Sequence, residues 1–217
     1  MAEEAAGKPA NSLRVTLWIL LIVYIFNFLD RQIVNILAEP IARDLGLADW
    51  QIGVMTGIAF AAFYTFLGVP IARFADRPTT NRVSLISLSL VIWSGMTAIS
   101  GMAQNFVQLL LARIGVGVGE AGCTPAAHSL IADLAPPEKR ASAISFYSLG
   151  IPIGGLLGMV IGGLVADAYG WRAAFFLAGI PGILMALVVW LVLRDPRMAN
   201  LTKGQAAPAV PSIWVAF

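Results

Sequence analysis

Residues 113–122 read "RIGVGVGEAG". An arginine and a glutamate stand seven positions apart in a stretch that is otherwise small and apolar, with long apolar runs on either side. Seven residues are close to two turns of an α-helix, so Arg113 and Glu120 come round to nearly the same face and are expected to point into the same space. Opposite charges on one stripe of an apolar helix suit a face that looks into protein or water, because a charge facing lipid is costly. The flanking sequence decides what surrounds the rest of that helix.

The chain has 217 residues, 59% hydrophobic and 12% charged, with a mean hydropathy of +0.82. A soluble domain carries about 25% charged residues, so this composition is that of a membrane protein. Six stretches reach the ~20 apolar residues needed to cross a bilayer: roughly 15–38, 51–72, 83–103, 106–132, 141–166 and 172–193. The expected organisation is a tail at 1–14, a six-helix transmembrane bundle at 15–197, and at 198–217 the start of a central loop. The apolar run "IWVAF" that begins at Ile213 leads to the expectation of a second half beyond it.

The net charge of +2 says less than its placement. Lys8, Arg14, Arg73, Arg77, Arg82, Lys139, Arg140, Arg194, Arg197 and Lys203 fall on one side of the six spans, while Arg43 and Arg172 fall on the other. The positive-inside rule then makes both ends of this segment cytoplasmic. The start "MAEEAAGKPANS" runs into a span too long for a signal peptide and lacks a small-residue cleavage site. Cys123 is the single cysteine, so no disulfide framework exists; it reads as a small packing residue.

An internal repeat is visible. Span two ends in "ARFADRPTTNR" (72–82) and span five in "GLVADAYGWR" (163–172). Both place Ala-Asp at a helix end with a basic residue a few positions on. Being three spans apart, they lie on opposite membrane faces, as inverted three-helix repeats require.

On these residues the chain resembles the major facilitator superfamily. Asp76 and Arg77 match the loop motif Gly-x-x-x-Asp-Arg-x-Gly-Arg-Lys; Ala72 replaces its glycine and Arg82 supplies the later basic position. Arg113, Gly117, Gly119 and Ala121 match the span-four motif, and "DAYGWRAAFF" is typical of the start of span six. "FLDR" (28–31) and "PAAHSLIADLAPPEKRASAISFYSLGIPIGG" (125–155) are most similar to the Spinster branch. The resemblance implies an all-α membrane protein whose six transmembrane helices form two inverted three-helix repeats, the N-terminal half of a major facilitator fold. It further implies a non-enzymatic, proton-coupled secondary transporter of an anionic amphiphile such as a lysophospholipid or sphingolipid phosphate, with an exporter of drugs or small organic anions as the alternative. The partners would be a lipid-like substrate, protons, the bilayer and a C-terminal six-helix half, with no nucleic acid; the location would be the inner (plasma) membrane of a bacterium.

Five ionisable residues fall within spans: Asp30, Arg31, Arg113, Glu120 and His128. The plain reading is that Asp30 or Glu120 neutralises Arg113 and pins two helices together. The functional reading is that such groups mark a pathway. A guanidinium stays cationic and grips phosphate or carboxylate with two nitrogens, so Arg113, with Arg31, is the candidate for the substrate's anionic head. Glu120 or Asp30 is the candidate proton site, because burial and a nearby arginine act on a carboxylate in opposite directions. His128 reads as a packing histidine or a possible relay. Asp76, Arg77 and Arg82 are ordinary positive-inside residues or, by the motif, a cytoplasmic gate.

Other features weigh against the alternatives of a nucleotide-binding protein, a hydrolase and a channel. Gly117-x-Gly119-x-x-Gly122 imitates a dinucleotide fingerprint, which has meaning only between a strand and a helix. The glycines there, and Gly154, Gly158 and Gly162 on span five, are expected to bring helices close. Pro70, Pro125, Pro152 and Pro181 are expected to kink spans two, four, five and six. "GIPIGG" (150–155) resembles the Gly-Pro signature of antiporters with its proline one place off. No cofactor is implied and no cluster has metal-ligand spacing. A hydrolase would have only His128 as base and shows no Gly-x-Ser-Gly context; a channel would be expected to show charge rings or a carbonyl filter.

Overall fold

The computed structural model describes residues 12–202, and the remainder, including the run from Ile213, lies outside the described residues. Among the described residues six helical stretches are long and apolar enough to cross a bilayer, and no strand is present. Span one is a single helix, α1 (Leu13–Leu45). Span two comprises α2 (Asp49–Gly53), a π-helical segment (Val54–Ile58) and α3 (Ala59–Asp76). Span three is α4 (Arg82–Ser100), and span four is α5 (Phe106–Glu120) followed by α6 (Cys123–Leu134). Span five is α7 (Arg140–Ser148) and α8 (Gly150–Tyr169); span six is α9 (Trp171–Val192), which leads to α10 (Pro196–Thr202).

Local chemistry sets the ends. The Ser12 side chain accepts from the Val15 amide at 3.4 Å to open α1, and Asn81 and Asn105 do the same for Ser84 and Gln108 at the starts of α4 and α5, as N-cap residues do. Gly46, at φ 64°, closes α1 in the left-handed conformation, as glycine commonly does at a helix C-terminus. Gly170, at φ 84°, is the entire link between α8 and α9. The helices outrun the apolar stretches, since backbone bonding continues into polar surroundings; span one reaches Leu45, with Arg43 paired to Glu39 one turn back. Span three stops at Ser100, short of position 103, where the chain turns through Gly101 and Met102.

The prolines behave in two ways. Pro125 and Pro152 coincide with real breaks, α5/α6 at Ala121 and Gly122 and α7/α8 at Leu149. In each case the missing amide would have bonded the carbonyl four residues back, and the ring crowds it. Pro70 and Pro181 lie inside uninterrupted helices, as does Pro40, which sequence reading did not single out. The π-helical turn in span two was likewise not legible.

Glycines set the helix spacing. Gly150, Gly154, Gly158 and Gly162 form one buried stripe of α8 laid against α1. A Cβ on Gly158 would stand 2.7 Å from the Leu29 carbonyl oxygen. Gly179 of α9 meets the Ser94 carbonyl of α4 at 2.5 Å by the same measure, and Gly119 of α5 meets the Trp93 amide at 2.6 Å. Small residues thus let backbones touch where no hydrophobic force drives association. The outer faces carry exposed Phe66, Leu156, Leu164, Leu184 and Trp190, as a lipid-facing surface requires. Inside are two apolar clusters, one around Leu90, Trp93, Val116 and Tyr147, the other around Ile33, Leu37, Leu109 and Phe175. Along α1, Asn27 and Asp30 fall at the junction between them. Cys123 packs in the first cluster. The paired Ala-Asp motifs leave Asp76 and Asp167 exposed at opposite ends of the bundle.

Candidate functional site

The junction holds two ion pairs between α1 and α5. Arg31 donates to the Glu120 Oε2 from Nε at 2.7 Å, and its second nitrogen lies at the same distance. The Arg113 guanidinium lies 3.9 Å from the Asp30 Oδ1, and the Asp30 Oδ2 accepts from the Thr97 hydroxyl at 2.5 Å. Sequence reading placed Arg113 and Glu120 in one shared space; both are buried, but they take different partners. The reason is axial: seven residues restore the azimuth while separating the two Cα atoms by about 10 Å along the helix. Adjacent residues of α1, about 100° apart in azimuth, supply one partner each.

The four charges are not equivalent. The Glu120 side chain is fully buried, Asp30 and Arg113 nearly so, while Arg31 keeps 27% of its surface exposed. Arg31 is bordered by aromatic rings, its Cζ 5.2 Å from the Phe28 centroid and 4.8 Å from those of Phe60 and Tyr64. Phe60 also lies under Arg113 at 5.9 Å. Phe60 is brought there by Gly117, whose Cβ would stand 3.0 Å from the Phe60 carbonyl. Several polar atoms have no hydrogen-bond partner among the described residues: both Asn27 side-chain atoms, the Asp30 Oδ1, the Glu120 Oε1, and Nε with one terminal nitrogen of Arg113. Buried polar groups are ordinarily satisfied, so these atoms retain hydrogen-bonding capacity that the described residues do not use.

At the end of the bundle where α1 begins and α9 finishes, Arg82 is completely buried. Its Nε and one terminal nitrogen grip both oxygens of Asp195 at 3.0 and 2.5 Å, and its other nitrogen reaches Asp133 and the Ser129 carbonyl at 2.8 Å each. Asp133 also binds Arg197 at 2.8 Å. Sequence reading grouped Arg82 with Asp76 and Arg77; the structure separates them. Asp76 is exposed and Arg77 lies over the Phe74 ring at 5.6 Å. Asp133, Asp195 and Ser129 were missed, although "IADL" and "LRDPR" put acids at the same helix ends as the cations. At the opposite end Asp44, also missed, accepts from Trp171 at 3.1 Å and Arg172 at 2.5 Å. His128 stands edge-on to Tyr147 at 5.4 Å and joins neither ion-pair group.

A sequence profile of the Major Facilitator Superfamily matches residues 20–217. The chain is 36% identical over 195 residues to an "MFS-type efflux pump" of Mycolicibacterium smegmatis, covering 90% of this chain and 43% of that one. It is 30% identical over 205 residues to "Protein spinster homolog 1" of Mus musculus, covering 92% and 38%. It superposes with a TM-score of 0.78 and 41% identity on the crystal structure of a bacterial homolog to the human lysosomal transporter Spinster in an inward-facing and occupied conformation, covering 84% of this chain and 44% of that one. The chain therefore spans less than half the length of these relatives. It belongs to the major facilitator superfamily, a family of transporters and not of enzymes.

Proposed function

With that membership as premise, we propose that the chain supplies the N-terminal half of a proton-coupled secondary transporter that moves an anionic amphiphile, such as a lysophospholipid or sphingolipid phosphate. The observation that carries this reading is Arg31: a partly accessible guanidinium, walled by three aromatic rings and held by a fully buried carboxylate. An anionic head group fits the guanidinium, and a hydrocarbon tail fits the apolar and aromatic surroundings. Glu120 is the proton site in this reading. When it gains a proton its grip on Arg31 weakens, and the guanidinium exchanges the carboxylate for the substrate head. Arg113, more deeply buried, acts as the second cation and keeps Asp30 as its counter-ion. Asp76 and Arg77, exposed at the end of span two, form the cytoplasmic gate and close against a C-terminal half, while buried Arg82 anchors that end of the bundle through Asp195 and Asp133; both ends of this segment face the cytoplasm of a plasma membrane.

The test is uptake of a labelled lysophospholipid by the full-length protein in proteoliposomes, with and without an imposed pH gradient. Arg31→Lys keeps the charge and loses the two-nitrogen grip, so it should slow uptake more than tenfold, which corresponds to about 1.4 kcal/mol. The similarity to an efflux pump favours a second reading, export of drugs or small organic anions. That reading prevails if a cationic drug is moved better than any anionic lipid.

A further inference from the structure

Away from the charge layer, a groove of about 440 Å³ lies between the start of α1 and the start of α7. Leu13, Leu17 and Phe146 line its apolar part, and Arg14 and Lys139 bring a cation from each helix segment to it. Trp18, 58% exposed, stands edge-on to Phe146 at 5.0 Å. Arg14 and Lys139 are exposed, and neither joins an ion pair among the described residues. The groove sits where spans one and five begin, on the end of the bundle that collects the cations. Tryptophan concentrates at the level of lipid head groups, and basic pockets between spans on the cytoplasmic side suit anionic head groups.

We propose that this groove binds an anionic phospholipid of the surrounding bilayer, the phosphate between Arg14 and Lys139 and the upper acyl carbons against Leu17, Trp18 and Phe146. Charge complementarity selects the head group. The apolar wall, continuous with exposed Val15 and Trp18, selects a lipid over a soluble acidic ligand. The groove stands apart from the charge layer, and its placement on the cytoplasmic side rests on the orientation proposed above.

Native mass spectrometry of the purified full-length protein, with phosphatidylglycerol and phosphatidylcholine of equal chain length, tests this. The wild type should retain phosphatidylglycerol preferentially. Arg14→Gln/Lys139→Gln should weaken that retention at least about tenfold and leave phosphatidylcholine unchanged, whereas Arg73→Gln/Arg194→Gln, an equal loss of exposed charge at the same end, should retain the preference. Equal retention of the two lipids by the wild type, or an undiminished preference in Arg14→Gln/Lys139→Gln, overturns the proposal. So does effective competition by soluble glycerol phosphate or an acidic peptide, or a preference that emerges only after residues 1–11 are deleted, which would make the tail the occupant.

Discussion

Thr97 of α4 donates its hydroxyl to the Asp30 Oδ2 of α1 at 2.5 Å, while the other oxygen of the same carboxylate faces Arg113 at 3.9 Å. One carboxylate thereby ties three spans together. Thr97→Val removes the donor but keeps the shape, leaving a buried acceptor unsatisfied at a cost of about 1–3 kcal/mol. Thermal unfolding in detergent should show the loss, and Thr97→Ser should recover most of it. A valine variant as stable as the wild type would mean the hydrogen bond contributes nothing.

Glu120 and Asp30 can be separated by function. In Glu120→Gln the side chain keeps its size but cannot exchange a proton, so accumulation driven by a pH gradient should vanish while counterflow exchange of substrate continues. Asp30→Asn should retain gradient-driven uptake. If Glu120→Gln accumulates substrate normally and Asp30→Asn does not, the proton site is Asp30. A purely structural pair predicts a third pattern, in which expression and exchange fail together because a buried arginine is left uncompensated.

Arg82 offers a stability test at the other polar cluster. Arg82→Gln strands Asp195, itself buried, without its two-nitrogen partner, and breaking a buried pair from one side costs about 3–5 kcal/mol. Arg77→Gln removes a cation that only covers a ring and should shift thermal stability by less than about 1 kcal/mol.

The α8 stripe predicts opposite outcomes for two glycines three positions apart. Gly158→Val drives a side chain into the Leu29 carbonyl and should cost about 1–3 kcal/mol or more by overpacking. At Gly155 an added Cβ meets only the Gln32 side chain at 3.8 Å, so Gly155→Ala should be neutral or stabilising by up to about 1 kcal/mol. Equal destabilisation by both would place the close contact elsewhere.

Topology is open to labelling in a Cys123→Ala background. Thr79 and Asp49 are both exposed and lie at opposite ends of span two. Cysteines there should react with an impermeant reagent from opposite faces of the membrane, Thr79→Cys from the cytoplasm alone. Labelling of both from one face would contradict the six-span arrangement.

Six spans were readable from order along the chain because a bilayer imposes a one-dimensional rule: about 20 apolar residues per crossing, with cations gathered on one side. The glycine stripe of α8 was readable for a similar reason, since its four-residue period repeats one helical face. Pairing was not. Arg113 and Glu120 agree in azimuth and differ in height, and nothing along the sequence states which residue of α1 stands at either height; the packing of α8 against α1 and of α5 against α3 and α4 decides it. Asp44, Asp133 and Asp195 carry no sequence signal beyond their place near helix ends, and they are partners of Arg172 and Arg82 only because helices distant in sequence end side by side. Periodicity records which face of a helix is buried, whereas the identity of the neighbour on that face is a property of the assembled bundle.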